Sequence, residues 1–107
     1  MRINLINVMR DHKKPPWSPV TIAELNGQVV QMASFKGEYP KGFHTHDYDE
    51  MFYVLQGEVE IQYKDKDNVL LRNSEMLIVP AGVGHCPKSE HYSYVIMFEP
   101  RTTDTSS

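Results

Sequence analysis

The sequence predicts an all-β domain, and three observations lead to that prediction. The length of 107 residues suits one domain with one core. Short runs rich in apolar and β-branched residues recur along the chain, and Gly, Pro, Asn and Asp separate them. Residues 58–63 (Glu-Val-Glu-Ile-Gln-Tyr) alternate between polar and apolar side chains, which is typical of a half-buried strand. Many short strands at this spacing indicate a sandwich or a barrel.

The predicted elements follow one another from an N-terminal extension, residues 1–19, into the β domain, residues 20–100. A short amphipathic helix is expected over residues 4–12, because Asn4 is a good N-cap and a Pro-Pro pair follows the segment. The polar residues 101–107 are expected to form a flexible tail. The predicted strand runs of the β domain are 20–25, 29–35, 51–55, 58–63, 69–71, 76–79 and 91–99.

Composition and charge exclude several classes of protein. A net charge of −3 leaves no basic surface for nucleic acid, so no nucleic-acid partner is expected. The apolar runs 76–79 and 94–98 are far too short to span a bilayer, so no membrane association is expected. The single cysteine, Cys86, rules out an internal disulfide. With no signal-peptide pattern after Met1, these features predict a cytoplasmic location.

Four residues have the composition and order of a metal site: His44, His46, Glu50 and His85, called the tetrad below. On a strand, side chains two residues apart lie on one face, about 6–7 Å from each other. Neutral imidazole is the commonest metal ligand in proteins, and a carboxylate often completes such a site.

Two predicted turns would bring the tetrad to one pocket. The polar link 47–49 is expected to turn the chain, so that Glu50 opens the next strand and faces the same pocket as the two histidines before it. Residues 80–84 (Pro-Ala-Gly-Val-Gly) are expected to reverse the chain and place His85 at the start of another strand. Such a site would keep one or two coordination positions open, as working metal sites do.

The spacing of these residues resembles the two motifs of the cupin superfamily. His44-x-His46-x-x-x-Glu50, with Gly57 after six further residues, is similar to the first motif, and Pro80-x-Gly82-x-x-His85 is similar to the second. From Trp17-Ser18-Pro19 to Phe98-Glu99-Pro100 the chain resembles small cupin-2 proteins often labelled mannose-6-phosphate isomerase-like. The resemblance implies a cupin double-stranded β-helix (jelly-roll) barrel, a divalent metal ion bound by the tetrad, and a homodimer.

The sequence also predicts which side chains line the pocket and which face outward. If Glu50 faces the pocket, alternation makes Met51, Tyr53 and Leu55 point outward, where large apolar side chains favour a partner surface and hence a homodimer. The predicted lining is largely apolar and shows no second acid–base pair, which argues against a proton-shuttling isomerase. No Lys/Arg cluster is visible for a phosphate, which argues against the mannose-6-phosphate label. The predicted lining residues are Phe52, Val54, Ile61, Met76 and Ile78.

Two functions from different classes fit these observations. The first is a small metalloenzyme, of dioxygenase or isomerase type, that acts on a small polar or carbohydrate-like compound. The second is a non-catalytic module that binds or senses a small molecule or sugar in the same metal pocket. Three nitrogen ligands and one oxygen ligand suit Zn, Fe, Mn, Ni, Co or Cu equally, so the sequence does not select the metal.

Overall fold

The computed structural model describes residues 1–101, which form one short helix followed by seven strands. All strand pairings are antiparallel, and the predicted all-β fold is confirmed. The helix α1 spans Leu5–Asp11, and the strands are β1 (Val20–Leu25), β2 (Gln28–Glu38), β3 (Glu50–Gln56), β4 (Val59–Tyr63), β5 (Val69–Leu71), β6 (Met76–Val79) and β7 (His85–Pro100).

The helix α1 begins where its capping residue predicts. The Asn4 side chain accepts a hydrogen bond of 3.0 Å from the backbone N–H of Asn7, which satisfies one of the free donors of the first turn. No helical residue is fully buried. Just beyond the helix, the His12 ring meets the Tyr94 ring edge-on at a centroid distance of 6.2 Å. The segment that follows the helix therefore contacts β7 at Tyr94, while Trp17 stacks on the core residue Phe35.

Strand β7 joins two sheet layers because, on the edge opposite β2, its two halves pair with different strands. One layer has the order β1-β2-β7-β3-β6, whereas β4 pairs with β7 and β5. On one edge of β7, β2 pairs with residues 88–100, with a register shift between Phe35 and Gly37. On the other edge, residues 94–98 pair with β3 and residues 85–88 pair with β4. Between these halves the hydroxyls of Ser89 and Ser93 lie 2.7 Å apart, and both lie within 3.0 Å of the Glu58 carbonyl oxygen. These contacts fix the bend that folds the sheet into a barrel.

The core fills the space between the two layers. Three predicted lining residues, Phe52, Val54 and Ile61, are fully buried there, where they pack in a cluster with Phe35 and Met97. Burial of each such side chain contributes about 1.5–3 kcal/mol. Whether a ligand reaches these three residues stays a prediction.

Met76 and Ile78 do not line the interior, contrary to the prediction. Their side chains are 63% and 49% exposed on the outer face of β6. Strand β3 pairs Phe52 with Leu77, so that Leu77 and, two residues further on, Val79 face inward. The four residues of β6 are all apolar, so their sequence does not show which side chains face inward. The pairing of β6 with β3 determines this.

The end of the described chain is held by β1 and the turn that follows it. The Arg101 N–H donates to the Gly27 carbonyl at 2.8 Å, and the Arg101 side chain forms an ion pair with Glu24. The rest of the predicted tail, residues 102–107, lies outside the described residues. Within residues 1–101, no helix has both the length and the apolar character needed to cross a membrane.

Candidate metal centre

A backbone bridge joins the two sequence motifs that carry the tetrad. The His44 N–H donates to the His85 carbonyl, and the His85 N–H donates to the His44 carbonyl, each at 3.0 Å. His46 lies beyond this isolated bridge, on an extended segment between β2 and β3. The expectation that both early histidines share a regular strand is therefore wrong. The bridge, rather than a longer strand, positions the first imidazole beside the last.

The loop after β6 closes over this segment through two further hydrogen bonds. The Gly82 N–H donates to the His46 carbonyl at 2.8 Å, and the Ala81 N–H donates to an Asp49 carboxylate oxygen at 2.8 Å. Gly82 adopts a φ of 78°, a conformation that glycine reaches without the steric cost of a Cβ. This turn places the start of β7, and with it His85, beside the first motif.

The structure brings the whole tetrad together. One ligand atom from each residue can be chosen so that all four lie within 4.8 Å of one another. The Glu50 Oε1 atom lies 3.5 Å from the Nε2 atoms of both His46 and His85. Glu50 and His85 are each only 1% exposed. The strand alternation of β3 explains this, because Glu50 has the same phase as the buried residues of that strand.

Backbone carbonyls orient two of the imidazoles. The His85 Nδ1 atom lies 2.9 Å from the Val83 carbonyl oxygen, and the His44 Nδ1 atom lies 3.2 Å from the Gly42 carbonyl oxygen. A carbonyl only accepts hydrogen bonds, so Nδ1 carries the proton in the neutral ring. The Nε2 lone pair of each ring then points to the centre, as metal-ligating histidines require.

Aromatic rings restrict the same imidazoles from the side. The Tyr48 ring stacks on the His46 ring at a centroid distance of 4.9 Å and an interplanar angle of 10°. The Tyr39 ring lies 4.9 Å from the His44 ring. These contacts leave the rings little freedom to rotate away from the centre, which lowers the entropy cost of binding an ion there.

Burial and mutual proximity set the charge of the centre. Burial, followed by the nearby His85, lowers the pKa of His44 below its usual 6.5, so this imidazole is neutral near pH 7. Burial acts to raise the pKa of Glu50, but the imidazoles of His46 and His85 outweigh it and hold that pKa below 4.5.

The donor set fits a divalent transition metal. The Nε2 atoms of His44 and His85 and both oxygens of Glu50 are buried, and none of them has a hydrogen-bond partner within residues 1–101. Buried acceptors that converge without a donor are costly unless one cation satisfies them together. Ligand distances of about 2.0–2.2 Å put opposite ligands about 4.4 Å apart, close to the spread of the tetrad.

A second carboxylate, Glu99, lies beside the tetrad and is not among the residues predicted from the sequence. Glu99 is 1% exposed. The β3–β7 register pairs Met51 with Phe98, and its continuation by one residue places Glu50 opposite Glu99 on the inner face. The expectation of an apolar lining without a second acid is therefore wrong. A signal was present in the sequence, because Glu99 shares the phase of the buried residues Val95 and Met97.

Gln31 is a second polar side chain of the inner face that is not among the predicted lining residues. It is 3% exposed and lies opposite Met97 in the β2–β7 register. Since β2 pairs Val29 with Glu99, Gln31 is the diagonal neighbour of Glu99 on the same face. Cys86, by contrast, is buried away from the tetrad, and burial, followed by Glu38, raises the pKa of its thiol.

Three comparisons with known proteins agree with this architecture. The chain is 41% identical over 70 residues to the uncharacterized protein YdbB of Bacillus subtilis (strain 168), an alignment that takes in 64% of this chain and 60% of the relative. It is 33% identical to a cupin-2 domain containing protein from Shewanella frigidimarina, whose crystal structure matches with a TM-score of 0.85 over 92% of this chain and 94% of that chain.

The third comparison concerns the fold alone. The crystal structure of a hydroquinone 1,2-dioxygenase from Sphingomonas sp. TTNP3, in complex with 4-nitrophenol, matches with a TM-score of 0.84 at 20% identity, over 95% of this chain and 33% of that chain.

The family profile described as Cupin domain matches residues 30–98. With the fold and both motifs in place, the chain belongs to the cupin family.

Proposed function

We propose that this protein is a small metal-dependent enzyme whose tetrad binds one divalent ion and whose substrate is a small polar compound. The observation that carries the proposal is the convergence of buried ligand atoms within 4.8 Å, around a carboxylate that lacks a hydrogen-bond partner within residues 1–101. A bound ion would supply Lewis-acid activation of a coordinated oxygen or, if redox-active, electron transfer.

The protein's own residues would orient the substrate and exclude water. Fixed Nδ1 contacts hold the His44 and His85 rings, so that the ligand geometry is built before an ion arrives. Tyr48, stacked on His46, belongs to the polar link before β3 and is only half-buried, so it lies where a ligand would approach. This placement supports a role for the Tyr48 ring in contacting a small substrate.

Two reaction types, dioxygenation and isomerisation, both fit the centre. An apolar lining does not disfavour an isomerase here, because Glu99 adds a second carboxylate beside Glu50. The similarity to the hydroquinone 1,2-dioxygenase supports a dioxygenase only through the shared fold. Zn, Fe, Mn, Ni, Co and Cu all suit the tetrad. Membership of the mannose-6-phosphate isomerase-like subgroup stays a prediction. A buried glutamate near the metal ligands disfavours it, because the phosphate group of such a substrate is anionic.

A non-catalytic binding or sensing module is the second candidate. It is favoured by the close packing of the interior, where Phe52, Val54 and Ile61 are fully buried. Such packing limits a ligand to the neighbourhood of the tetrad, and a simple binder needs no more than that.

We also propose that the protein is a homodimer formed through the outer face of the β3–β6 layer. On that face Ile78 pairs across the strands with Met51, and Met76 pairs with Tyr53, while Met51 also pairs with Phe98 of β7. Ile78 and Met76 are the more exposed members of this apolar patch. A contiguous apolar patch of this kind marks an association surface. A cytoplasmic location stays a prediction from the sequence.

The metal site can be tested by elemental analysis of protein purified without chelator and then loaded with each candidate metal. We expect about one equivalent of metal in the wild type and almost none in a His44→Ala, His85→Ala double variant, because half of the tetrad is lost. His91→Ala, at an exposed histidine outside the tetrad, is the matched control and should retain the metal. Equal metal content in the wild type and the double variant would refute the site.

Oxygen consumption then separates the enzyme from the binding module. The iron-loaded protein is mixed with hydroquinone and with simple sugars, and oxygen uptake is followed with an electrode. A dioxygenase consumes oxygen with one of these compounds, and the double variant does not. Absence of turnover with every metal and compound, together with tight retention of a ligand, would favour the binding module.

A further inference from the structure

Trp17, in the N-terminal extension, has a backbone conformation that a bulky residue rarely adopts. Its φ is 67°, in the left-handed region, where residues other than glycine carry a steric cost. Two hydrogen bonds to β2 hold it there. The Trp17 N–H donates to the Ser34 carbonyl at 2.9 Å, and the indole Nε1–H donates to the Lys36 carbonyl at 3.0 Å. Such strain persists only where surrounding contacts fix it, so the position of this ring calls for an explanation.

The Trp17 ring contacts two other aromatic rings. It stacks on the buried Phe35 ring at a centroid distance of 4.3 Å, a contact that closes the core. It also meets the Tyr39 ring edge-on at 5.3 Å, and the Tyr39 ring lies 4.9 Å from the ring of His44, a member of the tetrad. Trp17, Tyr39 and His44 therefore form a continuous row of three rings, called the aromatic row below.

Tyr39 also fixes His44 through the backbone. The Gly42 N–H donates to the Tyr39 carbonyl at 3.0 Å, and the Gly42 carbonyl oxygen lies 3.2 Å from the His44 Nδ1 atom. The Tyr39 N–H in turn donates to the Pro87 carbonyl of β7 at 2.9 Å. A displacement of Tyr39 would therefore move both the ring that packs on His44 and the carbonyl that orients it.

The burial of the tetrad explains why His44 needs this support. Two members of the tetrad are buried and the core holds them, whereas His44 and His46 are half-buried. A half-buried ring can rotate towards solvent, and fixing it again on binding an ion has an entropy cost. The stacked Tyr48 ring restrains His46, and the aromatic row gives His44 the corresponding support.

We propose that Trp17 and Tyr39 are positioning residues of the metal centre. The indole ring holds Tyr39 in place, and Tyr39 holds the His44 imidazole in the orientation that binds an ion. This inference rests on the proposed metal site, and it gives the N-terminal extension a role in that site: the extension supplies part of the preorganisation that lowers the cost of metal binding.

Titration of the metal-free protein with cobalt(II) tests this role, because the visible absorption of cobalt reports both affinity and ligand geometry. Tyr39→Leu should weaken cobalt binding about tenfold, since it removes the ring that packs on His44. Trp17→Leu should weaken it about threefold, because Tyr39 stays but is less restrained. Trp17→Phe keeps an aromatic ring against Tyr39 and should recover most of that loss.

Leu71→Ala is the matched control for a general loss of stability. It truncates a buried side chain of the same core cluster, but Leu71 pairs with Val59, at the opposite end of β4 from the residue that pairs with His85. It should lower the free energy of unfolding in urea and leave the cobalt affinity and spectrum unchanged. An equal loss of cobalt affinity in Leu71→Ala and Trp17→Leu would overturn the inference.

A double variant, Trp17→Leu with Tyr39→Leu, tests whether the indole acts through Tyr39. Once the Tyr39 ring is absent, the indole no longer reaches His44 through the aromatic row, so the double variant should bind cobalt as weakly as Tyr39→Leu alone. Additive losses would overturn the aromatic row. Circular dichroism checks the folding of each variant, and if Tyr39→Leu does not fold, the comparison of Trp17→Leu with Trp17→Phe carries the test.

The fluorescence of Trp17, the single tryptophan of the chain, reports the same coupling from the other end of the row. Coupling between two sites is reciprocal, so an ion that fixes His44 should also restrain the indole ring. We expect saturating zinc, which is not redox-active, to reduce the quenching of Trp17 by acrylamide in the wild type but not in Tyr39→Leu. Equal quenching with and without zinc in the wild type would overturn the coupling.

The outcomes separate this inference from the proposed function. A wild type that shows no cobalt spectrum contradicts the metal site itself. A wild type that binds cobalt, together with folded Trp17→Leu and Tyr39→Leu variants of unchanged affinity, overturns the positioning role alone and leaves the metal site standing.

Discussion

At the scale of single residues, the state of each titratable group in the centre is set by its surroundings. His44 has its Nδ1–H directed at the Gly42 carbonyl and its ring against Tyr39, so its protonated form loses solvation without gaining a buried partner of equal strength. Glu50 has the opposite bias, because the imidazole nitrogens of His46 and His85 favour its ionised form. The His44 ring is therefore biased towards its neutral form, and Glu50 towards its ionised form.

This bias predicts how the stability of the metal-free protein depends on pH. The pKa of His44 is lowered in the folded state. Above pH 6.5 the His44 imidazole is neutral in both the folded and the unfolded protein, so its protonation does not reduce the free energy of unfolding there. As the pH falls through 6.5, the unfolded state takes up a proton that the folded state resists, and the free energy of unfolding decreases until the folded pKa is passed.

Urea denaturation of the metal-free protein between about pH 5 and pH 8 measures this slope. We expect His44→Gln to flatten it in the window below pH 6.5, whereas the exposed His91→Gln control should leave it unchanged. Glu50, whose pKa lies below 4.5 in the folded state, adds a separate loss of stability only at lower pH. Parallel pH profiles for the wild type and His44→Gln would contradict the account of His44.

At the scale of elements, the bend of β7 is what converts one sheet into a barrel. The turn after β3 approaches this bend closely, and the Glu58 N–H donates to the Ser93 hydroxyl at 3.2 Å. The neighbouring Gly57 N–H donates to the Asn73 side chain at 2.7 Å. Gly57 therefore lies in a tight junction of three chain segments, where there is no space for a side chain.

Gly57→Ala tests this junction. A Cβ at residue 57 would lie 2.3 Å from the Ser93 Oγ atom, and the φ of 113° is one that alanine rarely adopts. We expect the free energy of unfolding, measured in urea, to fall by about 3 kcal/mol. Gly27→Ala is the matched control, because its φ is 75° but nothing lies within 4 Å, and its loss should be about 1 kcal/mol. Equal losses for the two variants would show that the close contact is unimportant.

At the scale of the whole molecule, the barrel is covered unevenly. The N-terminal extension lies against β7 through His12, but the patch around β6 keeps Met76 and Ile78 more than 45% exposed. The outer surface is thus apolar around Met51 and Tyr53, which the sequence predicted to face outward, and Met76 and Ile78, which it predicted to face inward, extend this surface. A second copy of the chain is the partner that we propose for this surface.

Light scattering tests the dimer. We expect the wild type to show about twice the chain mass of 12.4 kDa, since association buries apolar surface. Ile78→Lys should shift the protein to a monomer with unchanged metal content, because a lysine in the interface would be desolvated and residue 78 points away from the tetrad. Leu70→Lys, at a similarly exposed residue of β5, should remain dimeric. A wild-type monomer at high concentration would refute the proposed interface.

Much of the fold is predictable from the sequence, because capping residues and polar–apolar alternation act within short segments of the chain. The Asn4 cap determines where α1 begins, and the polar–apolar alternation of residues 58–63 determines β4 and its inner face. The phase of β6 is not predictable in this way, because its residues are all apolar. The sequence predicts one strand that starts at His85 and another over residues 91–99, whereas the structure joins them in β7, where the irregular register opposite Phe35 and Gly37 interrupts the pattern.

The sequence by itself determined the identity of the tetrad, because ligand type and spacing are properties of the chain that survive any choice of strand phase. Only the tertiary structure decided which other side chains surround it. The bridge between His44 and His85, and the register that places Glu99 opposite Glu50, depend on pairing between segments far apart in the chain. A one-residue slip in such a register moves every side chain to the other face, and distant partners fix it here.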